Sequence, residues 1–193
     1  MRCKAMEVGD LERLLTVCDE SIMGLRDRAI LMFLADTGCR AGGLVGLRDS
    51  ELHLAARRAL LTEKGDRDRH VYFLAQTAAA IQAWQRARPA TAKATFCALN
   101  SRYYGRALTI EGLYLILKRL AARAGIVGRW NPHSVRHMFA LQNIEAGNDL
   151  LTVSQLLGHT DLRTTEHYLK FTDGQRAARH DRYSPLNQLE IAQ

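Results

Sequence analysis

Between His133 and His180 lie five of the chain's seven histidines, and three side chains in that stretch are spaced to act together. His133, Arg136 and His137 stand at i, i+3 and i+4 of a segment opened by Asn131-Pro132. On a helix they project from one side within about a turn and a half. A metal site would need a third ligand and would set a cation against Arg136. An oxyanion suits the group better, because arginine offers phosphate a planar fork of donors and histidine exchanges a proton near neutral pH.

The charge pattern agrees with a phosphate-bearing partner. The chain has 193 residues and a formal net charge of +7. From Arg69 to Ile144 there are 11 basic residues and one acidic residue, Glu111, so that this stretch carries +10 and the remainder −3. Solubility alone does not call for such segregation, and a nucleic acid is the partner expected to match it. An anionic membrane surface fits less well, since the basic stretch lacks a sustained amphipathic helix with aromatic anchors. No run approaches the length of a membrane span, and residues 1–15 have no apolar stretch of the kind a secretory signal needs. A cytoplasmic protein is expected. Cys3, Cys18, Cys39 and Cys97 form no C-x-x-C pair and are read as reduced thiols, neither a disulfide framework nor a zinc site.

The elements that must hold these groups follow from periodicity. Helices are expected over Asp10–Asp19 and Leu25–Asp36, the second capped at Gly38, with a short glycine-weakened one over Ala41–Leu47. The period then changes. Leu52–Leu54, Ala59–Thr62 and His70–Leu74 read as three short antiparallel strands, with Glu63-Lys64-Gly65-Asp66-Arg67-Asp68 as the second hairpin. Helices return over Thr77–Ala87, Thr109–Ala124, Asn131–Gly147, Leu150–Leu157 and Leu162–Lys170. Residues 90–108 read as polar, basic and irregular. The fold class is mostly α with a small three-stranded antiparallel sheet, in a single domain over residues 1–193.

Three boxes carry a resemblance to the tyrosine recombinases, or phage integrases. They are Thr37-Gly38-Cys39-Arg40 with Leu44 and Leu47-Arg48; His133-Ser134-Val135-Arg136-His137-Met138-Phe139-Ala140; and Leu156-Leu157-Gly158-His159, with Tyr168 nine residues beyond the histidine. They resemble the family's first arginine box, its H-x-x-R box and its L-G-H box with the nucleophilic tyrosine. The resemblance implies the family's DNA breaking-rejoining catalytic fold and site-specific strand cleavage and rejoining through a 3′-phosphotyrosine. It assigns Arg40 and Arg136 to the non-bridging oxygens, Lys64 to the departing 5′-oxygen, His133 to the tyrosine proton, His159 to a hydrogen bond with the phosphate, and Tyr168 to the attack. Such chemistry rests on positioning and electrostatic stabilisation. The covalent intermediate conserves the ester bond, so neither metal nor ATP is required. The implied partners are double-stranded DNA and further copies of the chain, assembled as a dimer or tetramer on DNA, with residues 172–193 as a tail packing on a neighbouring protomer.

Two departures from the family stand out. After Arg40 the family pattern is a hydrophobic residue, Ser and Glu, where this chain has Ala41, Gly42 and Gly43. Scarcely forty residues precede Arg40, so no N-terminal core-binding domain is expected. Each residue also has a plainer local reading: Arg40 as a helix counter-charge, Lys64 as a solvated hairpin lysine, Arg136 as an ion-pair partner, His159 as part of a helix end, Tyr168 as an amphipathic core residue. The alternatives to a recombinase are a degenerate integrase fragment that binds DNA without cutting, and a type IB topoisomerase.

Overall fold

A computed structural model describes residues 5–63, 67–128, 130–158, 180–181 and 184. Its centre is α2 (Ile22–Thr37), whose Ser21 hydroxyl caps the Gly24 N–H and whose buried residues include Ala29, Ile30, Leu31, Phe33 and Leu34. A helix apolar around so much of its circumference must be wrapped by others. It packs on α4 (Ala75–Ala87), α6 (Pro132–Glu145) and, more lightly, α1 (Val8–Thr16). Phe33 anchors the core, with ring centroids 5.8 Å from Phe73 and 6.2 Å from Phe96.

The sheet runs β1-β2-β3, all antiparallel. Strands β1 (Leu52–His53), β2 (Arg58–Glu63) and β3 (Arg67–Tyr72) follow the order expected. β3 begins three residues earlier than the apolar pattern suggests. The ladder continues through Leu61↔Arg69, Thr62↔Asp68 and Glu63↔Arg67, and the Thr62 hydroxyl donates to the Asp68 carboxylate at 2.7 Å. A polar cross-strand pair therefore extends the strands past their hydrophobic residues.

α4 also starts earlier than expected, at Ala75 rather than Thr77. The Asp36 carboxylate accepts from the Leu74 N–H at 2.6 Å and the Thr77 hydroxyl at 2.7 Å, so α2 caps a helix that has no side-chain cap of its own. The segment 90–108 is more than surface. Thr95, Phe96, Cys97 and Leu108 are buried in it, bridges form at Arg48↔Ala94 and Cys97↔Ala107, and the Thr95 carbonyl takes the indole N–H of fully buried Trp84 at 2.8 Å.

α3 (Ala41–Gly46) is the short helix read from the sequence, and α5 (Ile110–Arg123) is capped by the Thr109 hydroxyl. α6 begins as its Asn-Pro signal predicts, with the Asn131 side chain accepting from the Ser134 N–H and Pro132 in the first position. α7 (Leu150–Leu157) is capped by Asp149 and closed by Gly158 in the left-handed region. Together α6 and α7 make a satellite core of Ala140, Ile144, Val153 and Leu157. No described helix is long and apolar enough to cross a membrane. Cys18, Cys39 and Cys97 are buried thiols outside any disulfide, and burial pushes the Cys18 thiol up to about 11. Cys3, the expected helix Leu162–Lys170 and all of the tail except residues 180–181 and 184 lie outside the described residues.

Candidate active site

Arg40 is brought to the site by a turn that only glycine fits well. α2 ends at Thr37, and Gly38 takes φ 57° with its N–H on the Leu34 carbonyl. Arg40 then caps α3 in extended conformation, its carbonyl accepting from the Leu44 N–H at 3.1 Å. The half-buried Arg40 side chain is thus set at the junction of α2 and α3.

Arg136 comes from the second turn of α6 and is only 4% exposed. Its Nη1 donates to the Gly38 carbonyl at 2.7 Å and its Nη2 to the Leu157 carbonyl at 2.8 Å. Both acceptors lie at helix C-terminal ends, where backbone carbonyls lack intrahelical donors and partial negative charge accumulates. A buried cation is stable only where such acceptors meet it. The two bonds also fix the guanidinium plane, tying the end of α2, the body of α6 and the end of α7 to one side chain.

His133 is exposed in the first turn of α6, one turn from Arg136. Arg40, His133 and Arg136 line one open cleft of about 290 Å³, together with Cys39, Gly42 and Tyr114. Three of the six residues expected at the site are thus brought together. Lys64, His159 and Tyr168 lie outside the described residues. His137 is half-buried and is not among the cleft's lining residues. Burial holds its imidazole below the usual histidine value, and the neighbouring His133 adds to the effect.

Tyr114, on α5, is a cleft residue that the sequence reading did not single out. It falls outside the helix's buried stripe of Leu113, Ile116, Leu117 and Leu120 and is 39% exposed. An aromatic beside an apolar stripe is the available signal, and it does not specify which cleft the ring lines. Gly42 lines the cleft, and a Cβ there would meet nothing within 4 Å. Among the described residues, no group of three His, Cys, Asp or Glu side chains could hold a metal ion.

An open cleft lined by two arginines and a histidine, in a helical fold with a three-stranded antiparallel sheet, has the donors to bind an oxyanion. The phage integrase family model matches residues 4–175, and the chain belongs to that family. It is 38% identical over 176 residues to the tyrosine recombinase XerD of Listeria innocua, an alignment covering 88% of this chain and 58% of the relative. The chain thus spans little more than half the length of that curated relative. Among solved structures, the fold is similar to a XerA recombinase, with a TM-score of 0.76 at 24% identity over 94% of this chain and 65% of that one. It is also similar to the catalytic domain of bacteriophage HP1 integrase, with a TM-score of 0.65 at 21% identity and full coverage of both chains. The expected fold, mostly α with a small antiparallel sheet, is the one observed.

Proposed function

We propose that this chain is the catalytic domain of a site-specific recombinase that cuts and rejoins duplex DNA through a 3′-phosphotyrosine on Tyr168. The observation that carries this reading is the convergence of Arg40, His133 and Arg136 on one open cleft. Membership of the phage integrase family and the likeness to a tyrosine recombinase support it.

In this reading, the Tyr168 Oη attacks the scissile phosphorus as His133 takes its proton. The 5′-oxygen leaves with a proton from Lys64. Arg40 and Arg136 bond the non-bridging oxygens, on which charge builds, and His159 adds a further donor. Attack by another strand's 5′-hydroxyl reverses these steps and releases the tyrosine, so bond energy is conserved without ATP or metal. The partners are double-stranded DNA and further copies of the chain on it, residues 172–193 being the tail that packs on a neighbouring protomer. The setting is the cytoplasm.

Nicked suicide duplexes tiled from the DNA flanking the gene test the cleft. Arg40→Ala and His133→Ala should each lower the single-turnover rate of adduct formation by about 10²–10³-fold while leaving binding nearly unchanged. Rates that match the unaltered chain would remove both residues from the chemistry. A second reading, a domain that grips DNA without cutting it, is favoured by Gly42 and Gly43 in the first arginine box. It predicts binding with no adduct from any duplex. Relaxation of a supercoiled plasmid that lacks the flanking sequence would point instead to a topoisomerase.

A further inference from the structure

Along β3 the side chains alternate: Asp68, His70 and Tyr72 are exposed, whereas Val71 is buried, as is Phe73 just beyond the strand. Arg69 stands in the inward register, opposite fully buried Leu61 and two residues before Val71. The period-2 pattern asks for an apolar side chain there. Instead, the Arg69 Nη1 crosses to α7 and donates to the carbonyl of Leu156, 87 residues away. The next carbonyl, that of Leu157, accepts from the Arg136 Nη2 at 2.8 Å. Two guanidinium groups, one from the sheet and one from α6, therefore hold consecutive carbonyls in the last turn of α7, just before the left-handed Gly158. Both carbonyls are among the four that a helix leaves without intrahelical donors.

An inward arginine on an edge strand also discourages sheet-to-sheet pairing. That role asks only for charge; it does not ask for a bond to a helix end.

We infer that Arg69 is a positioning residue for DNA cleavage, acting through Arg136. By bonding the Leu156 carbonyl it fixes the last turn of α7, and so the direction of the Leu157 carbonyl that orients the Arg136 guanidinium in the cleft. The inference rests on the function proposed above and adds to it a residue that belongs to none of the three boxes. Arginine is the residue required. Its reach and planar fork carry a donor from the sheet to the helix end, whereas a lysine ammonium, compact and strongly hydrated, gives up more hydration in a partly buried position.

The test uses the full chain, with Arg69→Met and the milder Arg69→Lys. Hydrogen–deuterium exchange should rise at least tenfold at the Gln155–Gly158 amides in Arg69→Met, with α2 unchanged. Single-turnover cleavage of the suicide duplex that gives an adduct should fall about 10–100-fold with DNA affinity held within twofold, Arg69→Lys falling between. Combined with Arg136→Lys, the loss from Arg69→Met should largely vanish, because the fork it orients is gone. Unchanged exchange in α7, fully additive losses in the double variant, or a loss of DNA affinity equal to the loss of rate would each overturn the inference. Failure of the unaltered chain to form any adduct would overturn the proposed function and this inference with it, whereas unchanged α7 exchange overturns the inference alone.

Discussion

Gly38 meets two demands at once, and they were unequally visible. Its place after the apolar run of α2 marks it as a helix cap, and it takes the left-handed φ of 57° that such a cap uses. The second demand comes from α6: a Cβ on Gly38 would lie 2.5 Å from Cδ1 of Phe139. Gly38→Ala should therefore cost roughly 2–4 kcal/mol, combining left-handed strain with overpacking, and should displace the carbonyl that anchors Arg136. Urea unfolding measures the first effect. A loss under about 1 kcal/mol would mean that the Phe139 ring moves aside freely. Arg136 shows the same division. The role proposed for it toward phosphate comes from the H-x-x-R spacing, but its two carbonyl partners, 98 and 21 residues away, are not legible there.

His137 provides a pH signature at the same scale. Its folded pKa lies below the ordinary 6.5, first through burial and then through His133. As pH falls below about 6.5 the unfolded chain takes up the proton first, so stability present above that value is lost on the way down to the folded pKa. The lowered carboxyls of Asp19, Asp49 and Asp149 act in the same direction, at lower pH. The urea midpoint should fall between pH 7 and 5, and His137→Gln should flatten that slope. An equal slope in both proteins would contradict the assignment.

Elements were legible where their signals were local. The Asn131-Pro132 start of α6, the Thr109 cap of α5 and the Gly158 end of α7 are all written within a few residues of the boundary. The early start of α4 is not, because its cap, Asp36, belongs to α2. Nor is the ion cluster that joins α2 to α5. Arg26 and Asp27 are adjacent charges within the expected helix, and they are 4% and 1% exposed. The Arg26 Nε and Nη2 both donate to the Asp27 Oδ1, at 2.9 and 2.8 Å, and Arg119 from α5 donates to Oδ2. Removing one partner of a buried pair leaves the other uncompensated. Asp27→Ala should accordingly destabilise the chain by about 3–5 kcal/mol in chemical unfolding. A change below about 1 kcal/mol would mean that water reaches the two arginines.

Across the whole molecule, the order and spacing of the three boxes pointed to the same fold as the periodicity, since their described residues fall on or beside α2, α3, α6 and α7, on both sides of the sheet in sequence. The core contribution of Thr95, Phe96 and Cys97 escaped notice because that stretch has neither period, and its burial depends on Phe33 and Trp84 from elsewhere. The basic excess read from residues 69–144 has a surface expression: Arg86, Lys93, Arg102, Arg106, Lys118 and Arg123 are all exposed. Phosphate contacts release counterions, so affinity for duplex DNA should drop at least tenfold between about 50 and 200 mM salt. A flat response would separate the basic surface from DNA binding.

The most direct test of the central claim is covalent trapping of the unaltered chain and of Tyr168→Phe on nicked suicide duplexes, with adducts resolved on denaturing gels and mapped by mass spectrometry. The account predicts a 3′-phosphodiester adduct on Tyr168 in the unaltered chain and none in the variant, with both binding DNA equally. An adduct on another residue, or one that persists in Tyr168→Phe, would contradict it.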